Sequence, residues 1–214
     1  MPDTRNLVDS ARQAGNGSLT LVLGGVRSGK SRFAQELAYS VGGDDVLFVA
    51  TAEAGDGEMS DRIRRHQESR PAAWNTLECP LKVGETLANL ESAPNVILLD
   101  CLTLLVSNVM FREDAKLTRC EHGVQQEVDA LVQAAEHSSS HIVVVSGEVG
   151  CGIVPESRMG REFRDLLGFA NQRLAAASVA TYYMVAGLAI EARRLASSAS
   201  QASRAYSLPV GDQA

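Results

Sequence analysis

The chain has 214 residues, a length that fits one domain of ordinary size with short tails. Hydrophobic residues make up 45% and charged residues 21% of the chain, so it can form a core and is not expected to be disordered as a whole. A net charge of -6 gives no basic excess for a nucleic-acid backbone, and no apolar run approaches the roughly 20 residues that cross a bilayer. We therefore expect a cytoplasmic protein without a membrane span and without nucleic acid as a partner.

The ends of the chain and its cysteines indicate how it is organised. Residues 1–17 lack apolar periodicity and residues 197–214 are rich in Ser, Ala and Gln, so we expect a flexible N-terminal arm and a flexible C-terminal tail around a single domain over 18–196. Four cysteines occur without a C-x-x-C pair or a His/Cys cluster. That spacing favours buried or half-buried thiols over a zinc site or a redox pair.

Short apolar runs alternate with longer segments of helical period along this domain. The predicted strands are 19–23, 46–51, 96–100, 142–146 and 181–186. The predicted helices are 30–40, 58–69, 83–90, 102–111, 118–137 and 158–177. Strands that are apolar on both faces and joined by helices indicate an α/β fold with a mostly parallel sheet, whose ligands bind at the carboxyl ends of the strands.

The segment between the first predicted strand and the first predicted helix matches G-x-x-x-x-G-K-[ST]. Its residues are Gly24, Gly25, Val26, Arg27, Ser28, Gly29, Lys30 and Ser31. In such a loop backbone N–H groups and a helix N-terminus surround the phosphates, Lys30 reaches the β- and γ-phosphates, and the Ser31 hydroxyl binds Mg²⁺. The pattern predicts a P-loop NTPase with a RecA-like central sheet flanked by helices.

An acidic residue ends the apolar run 96–100. Asp100 is placed to hold Mg²⁺ directly or through water, as an acidic residue at a strand end does in P-loop proteins. The same residue could instead cap the helix predicted to start near residue 102, because Asp is a favoured N-cap. The two roles are compatible.

A short arginine-rich segment before Pro71 carries a histidine. Four of its residues fall at i, i+3, i+4 and i+7 on one helix face: Arg62, Arg65, His66 and Ser69. This face is either solvated or directed at a polyanion, with His66 as a base or a nucleophile. The other three histidines are predicted to lie at the surface: His122, His137 and His141.

A glycine-containing segment, residues 148–155, follows the strand predicted to end at residue 146. Gly150 and Gly152 come shortly after Glu148, at the sheet edge where ligands bind. Glycines at this spacing allow close approach of a substrate or a nucleotide to the backbone. From the chemistry of these residues alone, an ordinary turn without a binding role is an equally good interpretation.

Taken together, three segments resemble the bifunctional adenosylcobinamide kinase / adenosylcobinamide-phosphate guanylyltransferase family of cobalamin biosynthesis. They are the P-loop, the stretch from Arg62 to Pro71, and the stretch from Glu148 to Pro155, and the resemblance covers about residues 19–190. Gly147 stands where the family pattern has Asn, and Asp100 stands where it often has Glu. The second change keeps the carboxylate but shortens its reach.

The resemblance implies two reactions in one kinase/guanylyltransferase domain, with Mg²⁺ as cofactor and with ATP and GTP as substrates. A nucleoside triphosphate phosphorylates adenosylcobinamide, and His66 then carries GMP from GTP to adenosylcobinamide phosphate, which gives adenosylcobinamide-GDP. It further implies a corrinoid partner and a homo-oligomer, which is a homotrimer in the family. The nucleotide-binding residues implied beyond the P-loop are Arg62, Arg65, Glu78 and Asp100. From the residues alone, an NTP-dependent switch that binds a protein partner stays open as an alternative.

Overall fold

Strands and helices alternate along the chain in the computed structural model, which describes residues 17–53, 70–112 and 117–204. In chain order the elements are β1 (Ser18–Gly24), α1 (Lys30–Gly42), β2 (Val46–Ala50), β3 (Asn75–Glu78), α2 (Val83–Ala88), β4 (Val96–Asp100), α3 (Leu102–Arg112), α4 (Leu117–His137), β5 (His141–Gly147), α5 (Arg158–Ala177), β6 (Ala180–Val185), β7 (Leu188–Glu191), α6 (Ala192–Leu195) and α7 (Ala199–Arg204). The helix predicted over 58–69 lies outside the described residues, as does most of the predicted N-terminal arm.

One sheet contains the strands of the described ranges in the order β3-β2-β4-β5-β1-β6-β7. All neighbouring pairs are parallel except β6 and β7, which are antiparallel. The prediction of an α/β fold with a mostly parallel sheet is confirmed. Because β1 lies between β5 and β6, it is an interior strand. The loop that follows β1 therefore has neighbouring strand ends on both sides at the carboxyl edge of the sheet.

Helices cover both faces of the sheet. Helix α1 packs on one face, and α3, α4 and α5 pack on the other. Successive residues of β1 show the resulting two-sided burial, because Leu21 and Val22 are both fully buried and belong to opposite core clusters. Burial on both faces explains why the interior strands are continuous apolar runs. None of the helices in the described ranges has the length and hydropathy that a membrane crossing needs.

Two edge strands, β3 and β7, were not predicted from the sequence. Strand β3 is polar and mostly exposed, so it lacks the apolar run that identifies a buried strand. Strand β7 is also mostly exposed and forms a hairpin with β6. Ala186 and Gly187 make the connection with φ values of 50° and 84°, as two-residue hairpin turns require. The strand predicted to continue to residue 186 therefore ends at Val185, where the chain reverses.

Two predictions about surface exposure are wrong. His141 was expected at the surface, but it is fully buried, because β5 lies between β1 and β4, and its Nδ1 is 2.7 Å from the Ser18 hydroxyl oxygen. Cys151 was expected to be at least half-buried, but it is exposed in the loop after β5. Both errors arise because a position at a strand end does not by itself say whether neighbouring elements cover it. His122 and His137 are exposed, as predicted.

Candidate active site

The predicted phosphate loop connects β1 to α1, which begins at Lys30. Arg27 and Gly29 adopt left-handed backbone conformations, with φ values of 57° and 95°. Ser28 donates its backbone N–H to the Gly25 carbonyl at 3.3 Å, and α1 then continues with the bond from Phe33 N–H to the Gly29 carbonyl at 3.0 Å. The structure thus has the strand, tight loop and helix N-terminus that phosphate binding by this motif requires.

Close packing explains why two positions of the loop are glycine. A Cβ at Gly24 would lie 2.6 Å from the Ser28 hydroxyl and 2.7 Å from the Met184 carbonyl oxygen. A Cβ at Gly29 would lie 3.3 Å from Gly187 Cα, at a left-handed φ that other residues adopt at a cost. Gly187 also donates its N–H to the Ser28 carbonyl at 3.0 Å, so the β6–β7 turn supports the loop from one side.

Lys30 and Ser28 bring hydrogen-bonding groups to the loop itself. The Lys30 ammonium donates to the Gly25 carbonyl at 2.7 Å, which places its charge across the loop. The Ser28 hydroxyl is buried and has no hydrogen-bond partner among the described protein atoms. Ser31 follows Lys30 in the first turn of α1 and is half-buried. Together they form a cationic, donor-rich surface at a helix N-terminus, which suits a phosphate chain.

Two carboxylates lie in one cross-strand row at the same carboxyl edge of the sheet as this loop. Ala50 at the end of β2 pairs with Glu78 on one side and with Asp100 on the other. Residues paired across parallel strands point to the same face, and Ala50 packs in the core cluster under α1. Glu78 and Asp100 therefore project to the face that carries α1, about 9–10 Å apart at the backbone, because two strand spacings separate them.

Arg70 lies on the same face, a few residues before β3. Its guanidinium carbon is 3.3 Å from the centre of the Phe48 ring, a cation–π contact, and its Nε is buried without a hydrogen-bond partner in the described structure. Burial lowers the pKa of Arg70 below the usual range of arginine, and the nearby Asp100 carboxylate acts in the opposite direction. The site thus holds a partly desolvated cation close to a carboxylate.

A side-chain network fixes the strand ends that carry these carboxylates. The Thr51 hydroxyl donates to the Cys101 carbonyl at 2.7 Å and accepts from the Cys101 N–H at 2.8 Å. Asn108 of α3 uses its amide nitrogen to bind the Thr51 carbonyl at 2.8 Å and the Pro80 carbonyl at 2.9 Å. The segments that follow β2, β3 and β4 are therefore tied to one another and to α3.

Helix α3 begins at Leu102, so Cys101 and not Asp100 occupies the N-cap position. The Cys101 carbonyl accepts from the Leu105 N–H at 3.2 Å. Asp100 lies one position before Cys101, so its role as a cap for this helix stays a prediction. Burial, with a smaller effect of the Asp100 carboxylate, raises the pKa of the Cys101 thiol to about 11. This thiol stays protonated at neutral pH and does not supply a thiolate nucleophile.

A second network joins the end of β5 to the phosphate loop. Gly147 donates its N–H to the Thr103 hydroxyl at 2.7 Å, and its carbonyl accepts from the Asn171 amide at 3.0 Å. Buried Asn171 also accepts from the Ser146 hydroxyl at 2.6 Å. The next residue, Glu148, donates its N–H to the Gly24 carbonyl at 3.0 Å. Helices α3 and α5 thus hold the start of the 148–155 loop against the first glycine of the phosphate loop.

Helix α5 also fixes the far end of the 148–155 loop. Arg161 donates to the Pro155 carbonyl at 2.9 Å and to the Glu156 carbonyl at 2.6 Å. Near the start, the Glu148 carboxylate accepts from the Gly150 N–H at 2.5 Å. Gly152 is exposed at the tip of the loop. The loop is held at both ends while its middle faces solvent.

The predicted site residues that the structure describes lie along one edge of the sheet, with Glu78 on the edge strand β3, four strands away from β1 and the P-loop. The P-loop, Asp100, Glu78 and the 148–155 loop all lie at the carboxyl edge of the sheet. The predicted residues Arg62, Arg65 and His66 lie outside the described residues. The sequence assigned no role to Thr51, Thr103, Asn108 or Arg161, and it indicated Asn171 only as part of the family resemblance. Most of these residues bind atoms distant in the chain, so their contacts are not indicated by a local pattern.

Comparison with known proteins gives consistent results. A family model described as cobinamide kinase / cobinamide phosphate guanyltransferase matches residues 20–192. The bifunctional adenosylcobalamin biosynthesis protein CobU of Salmonella typhimurium is 40% identical over 181 residues, which are 81% of this chain and 98% of that protein. The bifunctional protein CobP of Pseudomonas aeruginosa is 40% identical over 168 residues, 78% of this chain and 93% of that protein.

A solved structure of flagellar accessory protein FlaH from Methanocaldococcus jannaschii covers 85% of this chain and 80% of its own, with 15% identity and a TM-score of 0.38. That likeness is too weak to inform the site. The family match spans most of the chain and includes the P-loop, the carboxylate row and the 148–155 loop. The chain belongs to the cobinamide kinase / cobinamide phosphate guanyltransferase family of bifunctional enzymes in adenosylcobalamin biosynthesis.

Proposed function

We propose that this enzyme carries out both reactions of its family at the carboxyl edge of one sheet. In the first, the hydroxyl of adenosylcobinamide attacks the γ-phosphate of a nucleoside triphosphate and the diphosphate leaves. In the second, GMP passes from GTP through His66 to adenosylcobinamide phosphate. The observation that carries the proposal is the P-loop with Lys30 at the start of α1, on the face to which Asp100 and Glu78 project.

In the kinase step the residues of the chain mainly position and neutralise phosphates. Lys30 already lies across the loop, so a short movement from the Gly25 carbonyl brings its ammonium to the β- and γ-phosphates. Backbone N–H groups at the start of α1 add the positive end of the helix dipole. The β6–β7 turn packs against the loop and fixes its conformation. The loop therefore needs little rearrangement when negative charge develops on the transferred phosphoryl group.

The donor set fits Mg²⁺, which prefers hard oxygen ligands and keeps several waters. Ser31 offers a hydroxyl in the first turn of α1, and Asp100 offers a carboxylate on the same face. Within the described ranges, no group of three or more His, Cys, Asp or Glu side chains could hold a metal ion alone, which suits a cation shared with phosphate oxygens. When bound there, Mg²⁺ supplies countercharge to the β- and γ-phosphates.

The guanylyl step uses a covalent intermediate on His66. A neutral imidazole nitrogen attacks the α-phosphorus of GTP, a P–N bond forms, and pyrophosphate leaves with the electrons of the broken P–O bond. A phosphate oxygen of adenosylcobinamide phosphate then attacks the same phosphorus, and the P–N bond breaks to restore the imidazole. The proposed Arg62 and Arg65 would balance charge on the phosphates.

Exposed apolar residues support the further proposal that the enzyme is a homo-oligomer, a homotrimer as the family resemblance implies. Val185, Leu188 and Ile190 are 46%, 70% and 42% exposed on the β6–β7 hairpin at one border of the sheet. Apolar side chains grouped on an edge hairpin are typical of a surface that a second chain covers. Sedimentation equilibrium of the wild-type chain measures the oligomeric state directly.

A labelling experiment tests the guanylyl assignment. Wild-type protein incubated with GTP labelled at the α-phosphate should acquire label that is stable to alkali and labile to acid, as expected for a phosphoramidate. His66→Ala should lose both the label and the formation of adenosylcobinamide-GDP, because alanine offers no nucleophile. It should retain phosphorylation of adenosylcobinamide, since a hydroxyl attacks the γ-phosphate directly.

His122→Ala is the matched control, because His122 is an exposed helical histidine on α4. It should label as the wild type does. GMP attachment that persists in His66→Ala would move the nucleophile to another residue. Wild-type protein that hydrolyses GTP without labelling and without modifying a corrinoid would favour the nucleotide-dependent switch instead.

A further inference from the structure

We propose that the 148–155 loop binds the corrinoid acceptor and not the nucleotide, an inference that rests on the proposed function and assigns a substrate to this part of the site. Three features carry it: the loop's position beside the phosphate loop, its exposed apolar side chains, and its charge.

The position is set by main-chain contacts. Glu148 bonds to the Gly24 carbonyl through its N–H, so the loop starts at the edge of the phosphate site. The side chains of Asn171 and Arg161 on α5 bind the Gly147 carbonyl just before the loop and the Pro155 carbonyl at its end. A substrate held by the loop middle would therefore lie next to the triphosphate, where the acceptor hydroxyl must reach phosphorus. In-line transfer requires this proximity of acceptor and donor.

The loop middle is unusually apolar for an exposed segment. Ile153 is 96% exposed, Val154 is 59% exposed and Val149 is 36% exposed. Large aliphatic side chains so exposed around two glycines offer contact area and close backbone approach, but they offer no donors to a phosphate. A broad, largely apolar ligand such as a corrin ring gains binding free energy by covering this surface, whereas a nucleoside triphosphate gains little.

The charge of the loop also opposes a polyanion. From residue 148 to residue 157 the only charged side chains are Glu148 and Glu156, and both are acidic. The neighbouring arginines of α5 are engaged, because Arg158 pairs with Glu162 at 2.5 Å and Arg161 binds backbone carbonyls. An adenosylated corrinoid carries positive charge at its cobalt centre and uncharged amide arms. Its charge complements this loop, and that of a triphosphate does not.

Tyr183 of β6 lies close to two residues of the loop, Cys151 and Glu148. Its pKa is raised above the usual range of tyrosine, chiefly by the neighbouring Cys151 thiol and further by burial and the Glu148 carboxylate. The phenol therefore remains neutral at physiological pH. It adds a polar but uncharged group near the loop, suited to hydrogen bonds with amide arms and without the cation that phosphate recognition uses.

The test substitutes the apolar tip and measures each substrate separately. Ile153→Ser removes aliphatic area, and Ile153→Lys adds a cation that repels a cationic ligand. Kinase assays give KM for adenosylcobinamide and for the nucleoside triphosphate, and equilibrium dialysis with adenosylcobinamide alone gives its Kd. We expect Ile153→Ser to raise KM and Kd for adenosylcobinamide about tenfold and Ile153→Lys to raise them more, with nucleotide KM within about twofold of wild type.

Phe111→Ser is the matched control, because Phe111 is 72% exposed near the end of α3. It should leave both KM values unchanged. A raised nucleotide KM with an unchanged corrinoid Kd in the Ile153 variants would overturn the inference. So would a changed sedimentation coefficient with unchanged substrate constants, which would make the loop a contact between copies of the chain. A wild-type enzyme that binds adenosylcobinamide at Ile153 but never phosphorylates it would contradict the proposed function alone.

Discussion

Replacement of Asn171 tests whether the hydrogen-bond network around the end of β5 holds the site in place, because Asn171 itself takes no part in the proposed chemistry. Its side chain is 6% exposed, accepts from the Ser146 hydroxyl at 2.6 Å and donates to the Gly147 carbonyl at 3.0 Å. Asn171→Leu preserves approximate volume but removes both bonds. Ser146 is fully buried and Gly147 is half-buried, so water restores these bonds poorly.

The magnitude follows from the two groups left without partners. Each buried polar group that loses its partner costs about 1–3 kcal/mol, so we expect a total loss near 3 kcal/mol. For a chain of this length that loss lowers Tm by roughly 6–12 °C. We also expect kcat to fall for both reactions, because the Gly147 carbonyl is one of the anchors that hold Glu148 against the Gly24 carbonyl.

Thermal unfolding followed by circular dichroism, together with both enzyme assays below the transition, measures the two effects. Gln133→Leu is the matched control, because it makes the same kind of amide-to-leucine change at an exposed position of α4. It should change stability by no more than about 0.5 kcal/mol. If Asn171→Leu unfolds within that margin of wild type, or keeps wild-type kcat in both reactions, the network does not hold the site in place.

Two further predictions concern the charges of the site. Lys30→Ala should lower the rates of both half-reactions about a hundredfold, equivalent to roughly 3 kcal/mol, because both draw on a triphosphate in the same loop. Loss of only one activity at saturating nucleotide would indicate a second nucleotide site. Asp100→Asn should raise the Mg²⁺ concentration needed for half-maximal phosphoryl transfer while leaving thermal unfolding nearly unchanged, because it removes charge and keeps size. Isothermal titration with Mg²⁺ in the presence of a non-hydrolysable nucleotide gives the same comparison without turnover, and an unaltered titration would remove Asp100 from the metal site.

The sequence by itself determined the features that depend on local pattern. Interior strands such as β1 and β4 are buried on both faces, so each is a continuous apolar run that predicts its own location. The P-loop was equally easy to recognise from the sequence, because its glycines, Lys30 and Ser31 all lie within eight consecutive residues. Helix α5 matched its predicted bounds, 158–177, because its apolar stripe repeats at helical spacing.

Tertiary structure alone decided what joins these pieces into a site. The edge strands β3 and β7 owe their structure to pairing with a neighbour, because both are short and mostly exposed and so lack the long apolar run that identifies a buried strand. Asn108 and Asn171 bind backbone carbonyls from 24 to 57 positions away in the chain, and His141 is buried by the strands on either side of it. Hydrogen bonds and burial of this kind depend on which elements lie side by side, and a parallel sheet brings together strand ends that are far apart in the sequence.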